Sequence, residues 1–226
     1  MSSGYLLFIL VSTAIGLGAQ LYVKSQIAKY SQIRTSTGLN GQQSAARMLS
    51  YHNLSNVGIR QGRDGQDFFD PTTNSVTLDP HAFSQPSITA MATGCHEVGH
   101  ACQFAEGYGL MRFRSALVGP VNLASNAWMP FLLIGIMLYS IGNITGGNIM
   151  VDIAVALYAA AALFHIVTLP VEFNASHRAM DYLEATGLPA EERAGAFNVL
   201  RACALTYVAA ALVSVIQLFW LLGQRQ

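Results

Sequence analysis

"ATGCHEVGHACQ", residues 92–103, sets two histidines four positions apart around a glutamate. On an α-helix, positions i and i+4 stand one above the other on the same face, so His96 and His100 project from successive turns with Glu97 beside them. The same helical stretch carries Gln85, Gln103 and Glu106. So many polar side chains are costly in lipid. The stretch therefore reads as a polar helix beside a membrane, not one that crosses it.

The rest of the chain supplies the membrane character. Of 226 residues, 52% are hydrophobic and 11% charged, with a mean hydropathy of +0.38, too apolar for an ordinary soluble domain. The formal net charge is zero and the pI about 7.0, which leaves no basic stripe and no expected nucleic-acid partner. Cys95, Cys102 and Cys203 are too few and too scattered for a disulfide framework or a cysteine-rich zinc cluster, and Cys95 and Cys102 read as small packing residues.

A helix needs about 20 predominantly apolar residues to cross a bilayer, and four windows qualify: Tyr5–Val23, Val121–Ile144, Ile149–Leu169 and Cys203–Leu222. The first lacks a basic lead and a clear cleavage site, so it is expected to be a retained anchor. "GNITGGN", residues 142–148, reads as the turn of a tight helical hairpin between the second and third. This gives an N-terminal transmembrane helix over 1–23, a membrane-face portion over 24–120 and a transmembrane hairpin over 121–169. A helical membrane-face segment over 170–202 and a C-terminal transmembrane helix over 203–226 complete the chain. Lysine and arginine number eight in 24–120, three in 170–202 and none between. The positive-inside rule puts both large segments on the cytoplasmic side.

Between the first two windows the pattern turns soluble. "NGQQSAARMLSYH", residues 40–52, is an amphipathic helix with Ala45, Met48, Leu49 and His52 on or near one face. "DPTTN" between "DFF" and "SVTL" reads as a hairpin connection. The helix with the two histidines is expected to start at Ser84 or Ser87 and to stop at Gly107 or Gly109.

Two neutral imidazoles suit Zn²⁺, which takes nitrogen at ~2.0–2.1 Å in tetrahedral sites. The ion lowers the pKa of its water from about 15.7 towards 7 and polarises a carbonyl. Glu97, left off the metal, is placed to take the water's proton and pass it to a leaving amine. That is peptide-bond hydrolysis. The bland alternative is a pair of helix histidines that only hydrogen-bond. Against it, the small Gly99 on the ligand side leaves room for a substrate or a neighbouring strand.

A third ligand must come from elsewhere. The metzincin pattern wants a glycine and a third histidine where Gln103 and Glu106 stand, and site-two-type intramembrane proteases carry the motif in a spanning helix. A glutamate from a later helix is left, and Glu172 in "TLPVEFNASHRAMDYL" is the candidate, just past the third window. Glu172, Ser176 and Ala179 share one helical face flanked by Ala175, small enough to lie against the HEVGH helix, and Ser176 is placed to hydrogen-bond a ligand. Glu172 as an ordinary interfacial glutamate is the competing reading. His165, seven residues before it, is a second candidate as ligand or as a ligand's partner; His177 and Arg178 are candidates for oxyanion stabilisation, although a helix points both away from Glu172.

"HEVGHACQ", followed roughly seventy residues later by "TLPVEFNAS", resembles the YugP-like neutral zinc metallopeptidases of bacteria, a membrane family. "FDP" at 69–71 and "LVGPV" at 117–121 match further family features, and the resemblance runs from about Gly38 onward. It implies a gluzincin-like protease with His96, His100 and Glu172 as ligands of one zinc per chain, Glu97 as catalytic base, and a bacterial inner-membrane location. In the related membrane gluzincins typified by the heat-shock protease HtpX the second motif resembles E-x-x-A-D. Here "EFNAS" puts Ser176 where an aspartate orients a histidine.

The expected fold is a mainly α integral membrane protein of about four transmembrane helices, with a small α+β zincin-like portion carrying the HExxH helix. The expected function is a membrane zinc metalloendopeptidase acting on protein or peptide substrates in contact with the lipid bilayer; a membrane-protein partner or a homo-oligomer is left open. The competing class is a membrane scaffold or adaptor with a structural or vestigial zinc site. A transporter has only Asp152 and His165 to line its spans.

Overall fold

The computed structural model describes residues 3–223. The chain runs α1 (Ser3–Ser31), α2 (Gly41–Tyr51), β1 (Gly58–Gln61), β2 (Phe68–Asp70), β3 (Ser75–Leu78), α3 (Pro80–Ser84), α4 (Ile88–Ala105), α5 (Gly109–Ser140), α6 (Ile144–Ala185) and α7 (Ala190–Gly223). Four of these helices, α1, α5, α6 and α7, are long and apolar enough to cross a membrane. The chain forms two compact units, one of Met1–Leu17, Phe113–Leu169 and Tyr207–Gln226, the other of Gly18–Arg112 and Pro170–Thr206.

The first unit is built from the apolar parts of the long helices. Val155, Tyr158, Ala162 and Leu221 are its buried cluster. Trp128 meets Tyr158 edge-on at 4.8 Å, Phe8 stacks on Trp220 at 5.6 Å, and the Tyr158 hydroxyl donates to Gln217 Oε1 at 3.0 Å. Leu123, Leu133, Ile136, Met137 and Phe219 face outwards, an apolar surface that lipid satisfies and water does not. Gly146 and Gly147, expected in the turn, lie inside the start of α6. The Asn143 side chain accepts from the Gly146 N–H at 2.9 Å, and a β-carbon at Gly147 would collide with the Tyr139 ring. Gly147 thus serves close packing against α5 and Gly146 the cap at the start of α6, and the turn itself shrinks to the three residues 141–143.

The spanning helices also outrun their apolar windows. α5 begins at Gly109 and passes through Pro120 and Pro130, and α6 continues for 42 residues through Pro170 to Ala185. Proline inside a helix costs about 3 kcal/mol. Beyond Pro170 that cost is offset by Val171, Ala175 and Ala179, each fully buried, so packing outweighs local propensity.

The second unit surrounds α4. Asn40 caps α2 in a reciprocal capping box with Gln43, and Ala45, Met48 and Leu49 form its buried face. α2 crosses α4 where two glycines meet: a β-carbon on Gly94 would stand 2.5 Å from the Gly41 carbonyl oxygen. In the sheet, of order β1-β3-β2, β2 and β3 form the antiparallel hairpin with Phe69 opposite Val76, and β1 adds parallel to β3 with Ile59 opposite Val76. The central strand β3 is buried along its whole length. After α1, the Thr35 N–H donates to the Pro86 carbonyl and the Ile88 N–H to Ile33, both at 3.0 Å, which fixes the chain's entry into α4.

Candidate metal centre

α4 begins at a Ser87 cap, whose hydroxyl accepts from the Ala90 N–H at 3.2 Å. It ends before Gly107, which holds φ +71°, a left-handed turn that glycine accepts without steric cost. Within these limits the helix buries Glu97, Val98, Gly99 and His100. α6 lies directly against it: a β-carbon at Gly99 would stand 2.5 Å from the Ala175 carbonyl oxygen. The absent side chain lets the two backbones touch, which brings the face of Glu172 and Ser176 to the two imidazoles.

His96, His100 and Glu172 converge, with one ligand atom from each lying within 4.8 Å of the others. Glu172 Oε2 is 3.2 Å from His96 Nε2 and 3.6 Å from His100 Nε2. Donor atoms at ~2.0–2.1 Å around a tetrahedral zinc stand about 3.3–3.4 Å from one another, so the two distances from the carboxylate fit. The carboxylate side chain is only 2% exposed and that of His100 6%, while that of His96 is 15% exposed, which leaves an approach on the His96 side.

Tautomers give a second test of fit. Gln103 donates through Nε2 to the Val171 carbonyl at 2.8 Å and to Asn174 Oδ1 at 2.9 Å, leaving its Oε1 to face His100 Nδ1 at 3.0 Å. An oxygen acceptor there requires the proton on Nδ1, so a neutral His100 turns the bare lone pair of Nε2 towards the Glu172 carboxylate. A lone pair facing a carboxylate leaves room for a cation, whether a proton or a metal ion, and two imidazoles with one carboxylate are a donor set that suits zinc. Ser176 Oγ lies 3.2 Å from His96 Nδ1 and occupies the corresponding position for the other imidazole.

The remaining candidates are Glu97, next to His96 on α4, and three side chains engaged elsewhere. Glu97 is buried, 6% exposed, and Cys203 of α7 lies within electrostatic reach of both Glu97 and Glu172. Arg178 grips Glu106 at 2.6 and 2.7 Å and Asn174 at 2.8 Å; its charge is engaged there. His177 is exposed and pairs with Asp181 at 3.5 Å. His165 belongs to the other compact unit, next to the Phe164 ring. Sequence reasoning gave no role to Gln103, Asn174 or Glu106. The available signal was spacing: Gln103 is three residues past His100, hence on its face.

Comparison with known proteins gives a consistent picture. A profile of the family described as "Putative neutral zinc metallopeptidase" matches residues 5–225. The "Putative membrane protease YugP" of Bacillus subtilis (strain 168) is 40% identical over 218 residues, covering 94% of this chain and 94% of its own. No solved structure matches.

Proposed function

Because this chain belongs to the neutral zinc metallopeptidase family, we propose that it is a membrane zinc endopeptidase of the gluzincin type, with His96, His100 and Glu172 holding one zinc per chain and Glu97 as general base. The observation that carries this reading is the convergence of two α4 imidazoles and one buried α6 carboxylate within 4.8 Å. Zinc bound there would supply Lewis acidity, acidifying a water and polarising the scissile carbonyl. Glu97 would accept a proton from the water that adds to the scissile carbonyl carbon and return it to the departing amine, so that the peptide C–N bond breaks without releasing an amide anion. Ser176 steadies the His96 ring from behind.

Residues 24–120 and 170–202 are the catalytic portion in this reading, and 1–23, 121–169 and 203–226 its membrane-embedded portion. The excess of lysine and arginine in the first set supports a cytoplasmic active site at a bacterial inner membrane. Substrates are proteins or peptides. The sheet offers them an edge: β3 is central, and β2 keeps one side for an added strand while Phe69 packs 5.8 Å from Phe104 of α4.

The test is Glu97→Gln in detergent-purified full-length protein, assayed on a library of quenched fluorescent peptides. Activity falls at least about 10²-fold while zinc content is retained. Full activity in the variant would overturn the reading and favour a membrane scaffold.

A further inference from the structure

Gln103 is completely buried, yet its amide has hydrogen bonds at both ends. The groups that orient it form a relay that leaves α4 and comes back. Gln103 Nε2 donates to Asn174 Oδ1 on α6, and the same oxygen accepts from Arg178 Nε at 2.8 Å. The two guanidinium NH2 groups then close a two-point ion pair on Glu106, the C-cap of α4. Those hydrogen bonds from Arg178 hold the Glu106 carboxyl below the usual carboxylate range.

Direction is the property such a relay carries. Arginine only donates and does not lose its proton, so Asn174 must turn its oxygen towards Arg178. That oxygen then demands the nitrogen end of Gln103, and the Val171 carbonyl demands it as well. A flipped Gln103 would set its oxygen against two acceptors and its NH2 against His100 Nδ1. The flipped amide would favour the imidazole tautomer with the proton on Nε2, which has no lone pair there for an ion.

We propose that Gln103 is a positioning residue for the metal, oriented through Asn174 by the Arg178–Glu106 pair so that His100 is held with Nδ1 protonated and Nε2 open to the ion. This rests on the reading of His96, His100 and Glu172 as ligands. Because the relay joins α4 to α6, it also couples the helix with two ligands to the helix with the third.

The experiment is a zinc affinity measurement on metal-free, full-length protein in detergent by competition with a chromophoric chelator. It is accompanied by the visible spectrum of the Co²⁺-loaded protein and by melting of the metal-free protein. Gln103→Met, similar in volume but unable to hydrogen-bond, weakens zinc binding about 10- to 100-fold and shifts the Co²⁺ bands. Asn174→Leu weakens it about tenfold, whereas Asn174→Asp, which keeps an acceptor for both Gln103 and Arg178, binds as wild type does. Wild-type affinity in a folded Gln103→Met chain overturns the inference. If that variant does not fold, equal affinities in Asn174→Leu and Asn174→Asp overturn it instead. A wild-type chain that binds no zinc refutes the ligand reading itself, and the positioning role with it.

Discussion

Gly99 and Ala175 are in backbone contact, so close that a β-carbon on Gly99 would lie 2.5 Å from the Ala175 carbonyl oxygen and 3.0 Å from its carbonyl carbon. A main-chain carbonyl in the middle of a helix cannot swing aside as a flexible side chain can. Gly99→Ala must therefore separate α4 from α6 where His96, His100 and Glu172 meet. Overpacking of this kind costs about 1–3 kcal/mol, and here the displacement also parts Glu172 from the imidazoles. Thermal unfolding and zinc content both fall in Gly99→Ala. Gly119→Ala, at a helix position with nothing within 4 Å of the added carbon, leaves both intact.

Ser176 sits 3.2 Å from His96 Nδ1 and orients that ring with a hydroxyl. Ser176→Ala is expected to weaken zinc binding by about tenfold with little change in metal-free stability. Ser176→Asp puts a charged acceptor on the same nitrogen and tightens binding. Chelator competition on the two variants measures both effects.

His177 serves as the internal control. It is exposed, and its contact with Asp181 spans 3.5 Å between side chains that are 74% and 61% exposed. His177→Ala changes stability by no more than about 0.5 kcal/mol and leaves peptidase activity and zinc content as in wild type. A loss of activity would bring this imidazole back as an oxyanion donor.

A pH effect is expected near β2. Burial pushes the Asp67 carboxyl up to about 6 from 3.8, opposed by the hydrogen bond it accepts from the Asp79 N–H and reinforced by the Asp79 charge. For a carboxyl raised by folding, the protonated form is the one the fold favours. Its stabilising contribution is complete below about 4 and is lost as pH rises through about 6. Asp67→Asn removes that dependence, so its melting temperature relative to wild type rises between pH 4 and pH 7. A constant difference across that range would contradict this assignment.

Local chemistry was the part of the structure most legible in the sequence. The Ser87 cap, the stop near Gly107, the β2–β3 hairpin and the apolar face of α2 all rest on side chains a few residues apart, and they are present as expected. Helix ends in the membrane-spanning elements were not legible. The second apolar window begins at Val121 and the third ends at Leu169, but α5 starts at Gly109 and α6 runs on to Ala185, because burial of residues such as Val171 and Ala175 lies outside any local window. Gly147 read as a turn residue for the same reason, since the Tyr139 ring it accommodates comes from the preceding helix. At the candidate site, Gln103 was visible as a polar residue on α4, but the acceptors that orient it, Val171 and Asn174, lie 68 and 71 residues away.

The most direct test of the central claim is the zinc stoichiometry of detergent-purified full-length protein, wild type beside Glu172→Ala, by elemental mass spectrometry. His96, His100 and Glu172 as the ligand set predict about one zinc per chain in wild type, as expected of a single site with three protein ligands, and a small fraction of that in the variant. Equal zinc in the two proteins would place the third ligand elsewhere, and none in wild type would contradict the metallopeptidase account.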